Sequence, residues 1–113
     1  MKREMAAAAL LLVASGALAQ APKAEGVIAY TELISCLERS ADQLDDNRSD
    51  AATIARAAMA KCREALASFH AIRRGIPAQS DAVAQDMATP ELKEWFLDRA
   101  TIAALERRAA RKP

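Results

Sequence analysis

Between Val27 and Leu105 only 21 side chains are apolar and larger than alanine or cysteine, and that shortage limits what the chain can fold into. The hydrophobic fraction of 52% suggests a generous core, but alanine supplies half of it. Small domains bury a modest share of their surface, and a thin interior commonly needs a covalent staple. Attention therefore falls first on the only two cysteines, Cys36 and Cys62.

Helix is the predicted state nearly everywhere after Gln20. Alanine, leucine, glutamate and arginine dominate, β-branched residues are scattered, and no stretch alternates as a half-buried strand would. The first helix is predicted from about Val27 to Leu44, with a seam of Val27, Tyr30, Ile34, Leu37, Ala41 and Leu44. Asp45-Asp46-Asn47-Arg48-Ser49 reads as a turn, and Ser49 or Asp50 can cap the second helix, predicted from Asp50 to Arg74. The stripe of that helix is Ala51, Ala55, Ala58, Cys62, Leu66 and Phe69, and Gly75-Ile76-Pro77 stops it. Ser80-Asp81 opens a short helix running to about Met87. Thr89-Pro90-Glu91 then reads as a capping hydroxyl, a proline at the first helical position and an acid in the first turn. The last helix, to about Ala109, presents Leu92, Trp95, Phe96, Ile102, Ala103 and Leu105, with Arg99 snorkelling or pairing with an acid of the first helix. The fold expected is all-α: a small antiparallel helical bundle of three main helices plus one short helix, with one disulfide.

The cysteines suit that hairpin. They are separated by 25 residues, and their midpoint is residue 49, inside the predicted turn. A bridge closing such a loop should stabilise by roughly 3.5 kcal/mol in the chain-entropy model. Cys62 lies at the centre of its helix's stripe, whereas Cys36 lies on a flank with Leu33 and Ser40, away from the Tyr30–Ile34–Leu37 seam. The first helix therefore needs two neighbours, its Leu33–Cys36–Ser40 flank meeting the second helix and its seam meeting the last. Redox exchange favours adjacent cysteines, a zinc site needs about four ligands, and His70 is the only histidine.

An oxidising compartment would favour the bridge, and the opening nineteen residues point to one. Lys2 and Arg3 precede an apolar run from Ala6 to Ala14, and Ala17-Leu18-Ala19 has the pattern cut by a signal peptidase. Residues 1–19 are thus predicted to be a signal peptide, with Ala19-Gln20-Ala21 a second cleavage site. The run is too short for a stable membrane anchor. Residues 20–26 read as a flexible leading segment, 27–109 as the helical domain and 110–113 as a basic tail. The expected location is periplasmic or secreted.

The 94 residues from Gln20 onward carry 14 basic and 14 acidic side chains, which argues against nucleic acid as a partner. Charge is segregated: Gln20–Ala55 sums to −4, Arg56–Ser80 to +4, Asp81–Asp98 to −4 and Arg99–Pro113 to +4. Antiparallel packing of acidic on basic segments, with acids near helix starts and bases near helix ends, is the plain reading. The sharper one has the tail from Arg107 to Lys112 dock on an anionic lipid or partner surface.

No catalytic, cofactor or metal set emerges. His70 reads as a helix-end residue favoured by the dipole, or less plainly as a pH sensor. Asp42, Asp45, Asp46 and Asp50 form the best carboxylate cluster, but in an exposed turn water should leave them ordinary, and the order lacks a calcium loop's closing glutamate. Trp95-Phe96-Leu97 spans roughly 200° of one helix, too wide for one small core. Trp95 and Phe96 are expected inside and Leu97 partly outside, or all three form a candidate contact for a second protein or a second copy of the chain.

The stretch from Tyr30 to Phe69 resembles uncharacterised small secreted bacterial all-helical proteins with a single Cys…Cys helical hairpin. The likeness rests on the cysteine pair, the Asp45–Ala51 turn and the alanine-rich Ile54–Ala60 stretch. It implies a shared architecture and brings no catalytic residues with it. The function expected is a non-catalytic protein-interaction module; the alternatives are a periplasmic stress chaperone and an inhibitor or immunity-type protein against a secreted enzyme.

Overall fold

The structure, a computed structural model, describes residues 24–111. The predicted signal peptide and most of the predicted leading segment, with Lys112 and Pro113, lie outside the described residues. Residues 24–44 are helical (α1), followed by α2 (Ala51–Lys61), α3 (Arg63–Arg74), α4 (Asp81–Met87) and α5 (Pro90–Arg111). No strand occurs among the described residues. Two boundaries differ from expectation: residues 24–26 already belong to α1, and α5 continues through Arg111 into the predicted tail.

The turn after α1 is built from its own side chains. Asp45 Oδ1 accepts from the Asn47 N–H at 2.9 Å, and Asp46 Oδ1 accepts from the Arg48 and Ser49 N–H groups at 2.9 and 2.7 Å. Asn47 takes the left-handed conformation, φ 60°, which asparagine tolerates better than most residues. Asp50 rather than Ser49 caps α2, accepting from the Thr53 N–H at 2.8 Å.

The single long helix expected from Asp50 to Arg74 is instead bent at Cys62, whose φ and ψ are −99° and 22°. The ladder continues through the bend, since the Cys62 N–H reaches Ala58 O and its carbonyl accepts from Leu66 N–H, both at 2.9 Å. No glycine or proline marks the position; the residue that bends is the one covalently tied to α1. Gly75, φ 68°, ends α3 in the left-handed conformation, with Ile76 N–H returning to Ala71 O at 3.0 Å. That is the double closure favoured by glycine just past a helix end. Thr89 does not cap α5: its hydroxyl donates back to Asp86 O at 2.7 Å and secures the end of α4.

Cys36 and Cys62 form a disulfide with Cα atoms 5.9 Å apart, inside the usual range. Around it lies one core of Ala29, Leu33 and Leu37 from α1, Ala55 and Ala58 from α2, Leu66 and Phe69 from α3, and Phe96, Ala100 and Ala103 from α5. The α2–α3 stripe is the one expected from Ala55 to Phe69. The α1 seam is rotated toward the cysteine: Leu33 and Leu37 are fully buried, Tyr30, Ile34 and Leu44 half-buried, and Val27 exposed. Two neighbours cause this rotation. Ser40 Oγ sits 3.4 Å from Cys62 Sγ, while Tyr30 and Ile34 line a cleft with Arg99 and Ala103 of α5. On α5 the buried line is Phe96, Ala100, Ala103 and Ala104; the expected core positions Ile102 and Leu105 are exposed. Alanine faces alanine where α2 meets α5, so the backbones approach closely and larger side chains are displaced outward.

Helix direction corrects the expected charge arrangement. Trp95 and Phe96 of α5 pack on Phe69 of α3, and Ala104 near the far end of α5 joins Ile54 of α2, so α5 runs antiparallel to α2–α3. With α1 also antiparallel to α2, α1 and α5 are parallel. Their C-termini share one end of the molecule.

Candidate binding surface

At that shared end, Asp42 of α1 and Asp45, the first residue of the turn after it, meet three guanidiniums of α5. Arg107 binds Asp42 at 3.0 Å and Arg108 binds Asp45 at 2.6 Å, while Arg111 reaches both carboxylates. Arg108 also donates to the Ser49 carbonyl at 2.8 Å. The Asp45 side chain is only 3% exposed, so its carboxylate is not the solvated turn group expected from sequence. Arg108, then the Asn47 N–H, hold it far below the usual carboxylate range; Arg107 first, and Arg111, lower Asp42. An acid near its own helix C-terminus opposes the helix dipole, and two C-termini converge here, so the arginines offset both liabilities. The basic tail thus finds its anionic surface within the same chain.

Asp46 and Asp50 serve the local backbone, and both are lowered by the hydrogen bonds they accept, Asp46 chiefly from Ser49 and Asp50 chiefly from Thr53. Among the described residues no three histidine, cysteine or acidic side chains converge to hold a metal ion. No described helix is long and apolar enough to cross a membrane.

His70 is 8% exposed, and its Nε2 lies 2.8 Å from Asp86 Oδ2, an oxygen that Arg74 also binds. The His70 contact first, and Arg74 after it, depress the Asp86 pKa. This cluster joins the end of α3 to α4, so His70 is a tertiary tie more than a simple helix-end residue.

The aromatic trio separates. Phe96 is 1% exposed and cannot reach a partner without unfolding. Trp95 is half-buried, its ring stacked 6.0 Å from Phe69, with the guanidiniums of Arg73 and Arg99 at 5.1 and 5.0 Å from its centroid. Arg99 therefore neither snorkels alone nor pairs with an acid of α1; it rests on Trp95. Leu97, half-buried, points to a different place: an open cleft of about 470 Å³ where α2, α3, α4 and α5 meet.

Met59, Leu66, Met87 and Leu97 form the cleft's apolar floor, and Arg56, Arg63 and Lys93 stand on its rim. No acidic residue lines it. None of the three cations takes part in an ion pair among the described residues, although Arg56 lowers Asp50 from a distance. Sequence reasoning found Leu97 but not this cleft, because its walls come from four elements. Met59 and Met87 are isolated in the sequence, and only the tertiary placement of α4 brings them to one cleft.

No family model matches the chain, and neither a curated protein nor a solved structure proves similar to it.

Proposed function

We propose that the chain is exported, loses its leader, and closes Cys36–Cys62 in a periplasmic or extracellular compartment, where it acts by binding another protein rather than by chemistry. The observation that carries this reading is the cleft at Leu97: an apolar floor with three cations that pair with no acid among the described residues, held on a disulfide-tied helical scaffold. Exposed apolar surface rimmed by polar groups is the usual mark of a contact site. The helices around it support reading the fold as a small bundle whose first and last rods are parallel, in place of the all-antiparallel arrangement expected from the sequence.

The test is site-specific photocrosslinking in the native compartment, with the probe placed at Leu97 and, as a control, at the exposed Ile102 on another face of α5. A discrete protein adduct from Leu97 that is absent from Ile102 supports the reading. No adduct from either position contradicts it.

The chaperone alternative requires helices that loosen in mild acid. Asp42 and Asp45 titrate below the usual carboxylate range, which pushes any opening of the α1–α5 contact toward stronger acid and weighs against that alternative.

A further inference from the structure

We propose that the cleft receives an acidic amphipathic helix of the partner protein. This rests on the binding-module reading above and adds the chemistry of what is bound.

Charge complementarity is the first argument. Arg74, Arg107, Arg108 and Arg111 are in ion pairs, and Arg73 and Arg99 lie over aromatic rings. Arg56, Arg63 and Lys93, like Arg39, Arg48 and Lys61, have no such engagement among the described residues, but these three converge from α2, α3 and α5 on one apolar floor that no acid lines. Three cations left around exposed apolar surface favour an occupant that brings carboxylates and apolar groups together.

Spacing is the second. Arg56 on α2 and Arg63 at the start of α3 are seven residues apart, roughly two helical turns, with Met59 between them. Lys93 stands on the opposite bank, carried by α5. An amphipathic helix has an apolar stripe flanked on both sides by polar residues, and carboxylates there recur at the same two-turn interval. Laid along the trough, such a helix sets its stripe on the floor and its carboxylates against both banks, a recognised mode of peptide capture. Methionines in the floor adapt to varied apolar shapes.

The cleft's openness is the third. Small-molecule sites enclose most of their ligand, whereas this trough is open to solvent and would leave an acyl chain wet along one side. Arg63 directly follows the bridged Cys62, so the bridge that steadies the fold also presets the backbone of one bank before binding.

The experiment uses the oxidised mature chain and two labelled synthetic 18-residue helices with the same leucine stripe, one flanked by glutamates and the other by lysines. Palmitate and phosphatidylglycerol vesicles are run alongside. Fluorescence anisotropy at low salt should show the glutamate peptide binding at least about tenfold tighter than the lysine peptide, with the difference shrinking as salt screens the rim. Arg63→Glu with Lys93→Glu should abolish that preference while the circular dichroism spectrum is retained, and the methyl resonances of Met59 and Met87 should move on addition of the glutamate peptide. Equal affinity for the two peptides overturns the proposal. So does binding of vesicles or palmitate without the glutamate peptide, or a concentration-dependent dimer that shifts the same methyls. A photocrosslinked partner at Leu97 together with failure of the glutamate peptide removes only this inference; loss of both removes the binding-module reading as well.

Discussion

Two groups of arginines on this small molecule meet different fates. At the shared end of α1 and α5, Arg107, Arg108 and Arg111 are held by Asp42 and Asp45. At the cleft, Arg56 and Arg63 stand with Lys93 beside methionine and leucine and pair with no acid among the described residues. Both groups are runs of charge on helix faces, and composition alone treats them alike. The difference is tertiary: parallel placement of α1 and α5 brings acids to one group, and the meeting of α2, α3, α4 and α5 sets the other around an apolar floor. Charges of the first kind tie α1 to α5, and charges of the second kind take part in no ion pair among the described residues.

The comparison supposes an interior firm enough to keep both sites in place, and the largest effect should come from testing it. Phe96 is 1% exposed at the centre of the core, so Phe96→Ala should cost about 3–5 kcal/mol in urea unfolding and impair both sites together. Retention of full stability would mean that the core is organised around something else. Next, Cys36→Ser or reduction of the intact chain should lower stability by roughly 3.5 kcal/mol, read as a fall in the denaturation midpoint under reductant. An unchanged midpoint would show that the bridge does not support the thin interior.

The shared end should respond to acid. Folded-state pKa values of Asp42 and Asp45 lie below the usual carboxylate range, so their contribution is present above the unfolded value, about 4, and is lost as pH falls through the folded values. Melting temperature should therefore hold from neutrality to about pH 4 and fall below it, and Asp45→Asn should flatten that fall. A decline already complete at pH 5 would place the titrating group elsewhere.

Much of the fold was legible because its signals are local. The α2–α3 stripe follows from small and apolar residues three and four apart, Gly75 from the turn chemistry after α3, and the two neighbours of α1 from Cys36 standing off the main seam. What failed depended on distant partners. Ile102 and Leu105 read as core because they are large, but alanine-to-alanine contact with α2 selects Ala100, Ala103 and Ala104 instead. Asp45 read as a solvated turn residue because its arginine lies 63 residues further along. His70 and Asp86 carry no shared motif, and the cleft has walls on four elements. The bend at Cys62 has neither glycine nor proline to announce it.

The most direct measurement sets the two charge groups against each other in one experiment: thermal unfolding of Arg108→Ala and of Arg63→Ala, each at low and high salt. On this division of roles Arg108→Ala should lower the melting temperature, leaving the buried Asp45 side chain without its main partner, while Arg63→Ala should stay within about 0.5 kcal/mol of the parent chain. Equal losses, or a larger loss from Arg63→Ala, would contradict it, since the cleft's cations would then be part of the framework and not a surface held open for another protein.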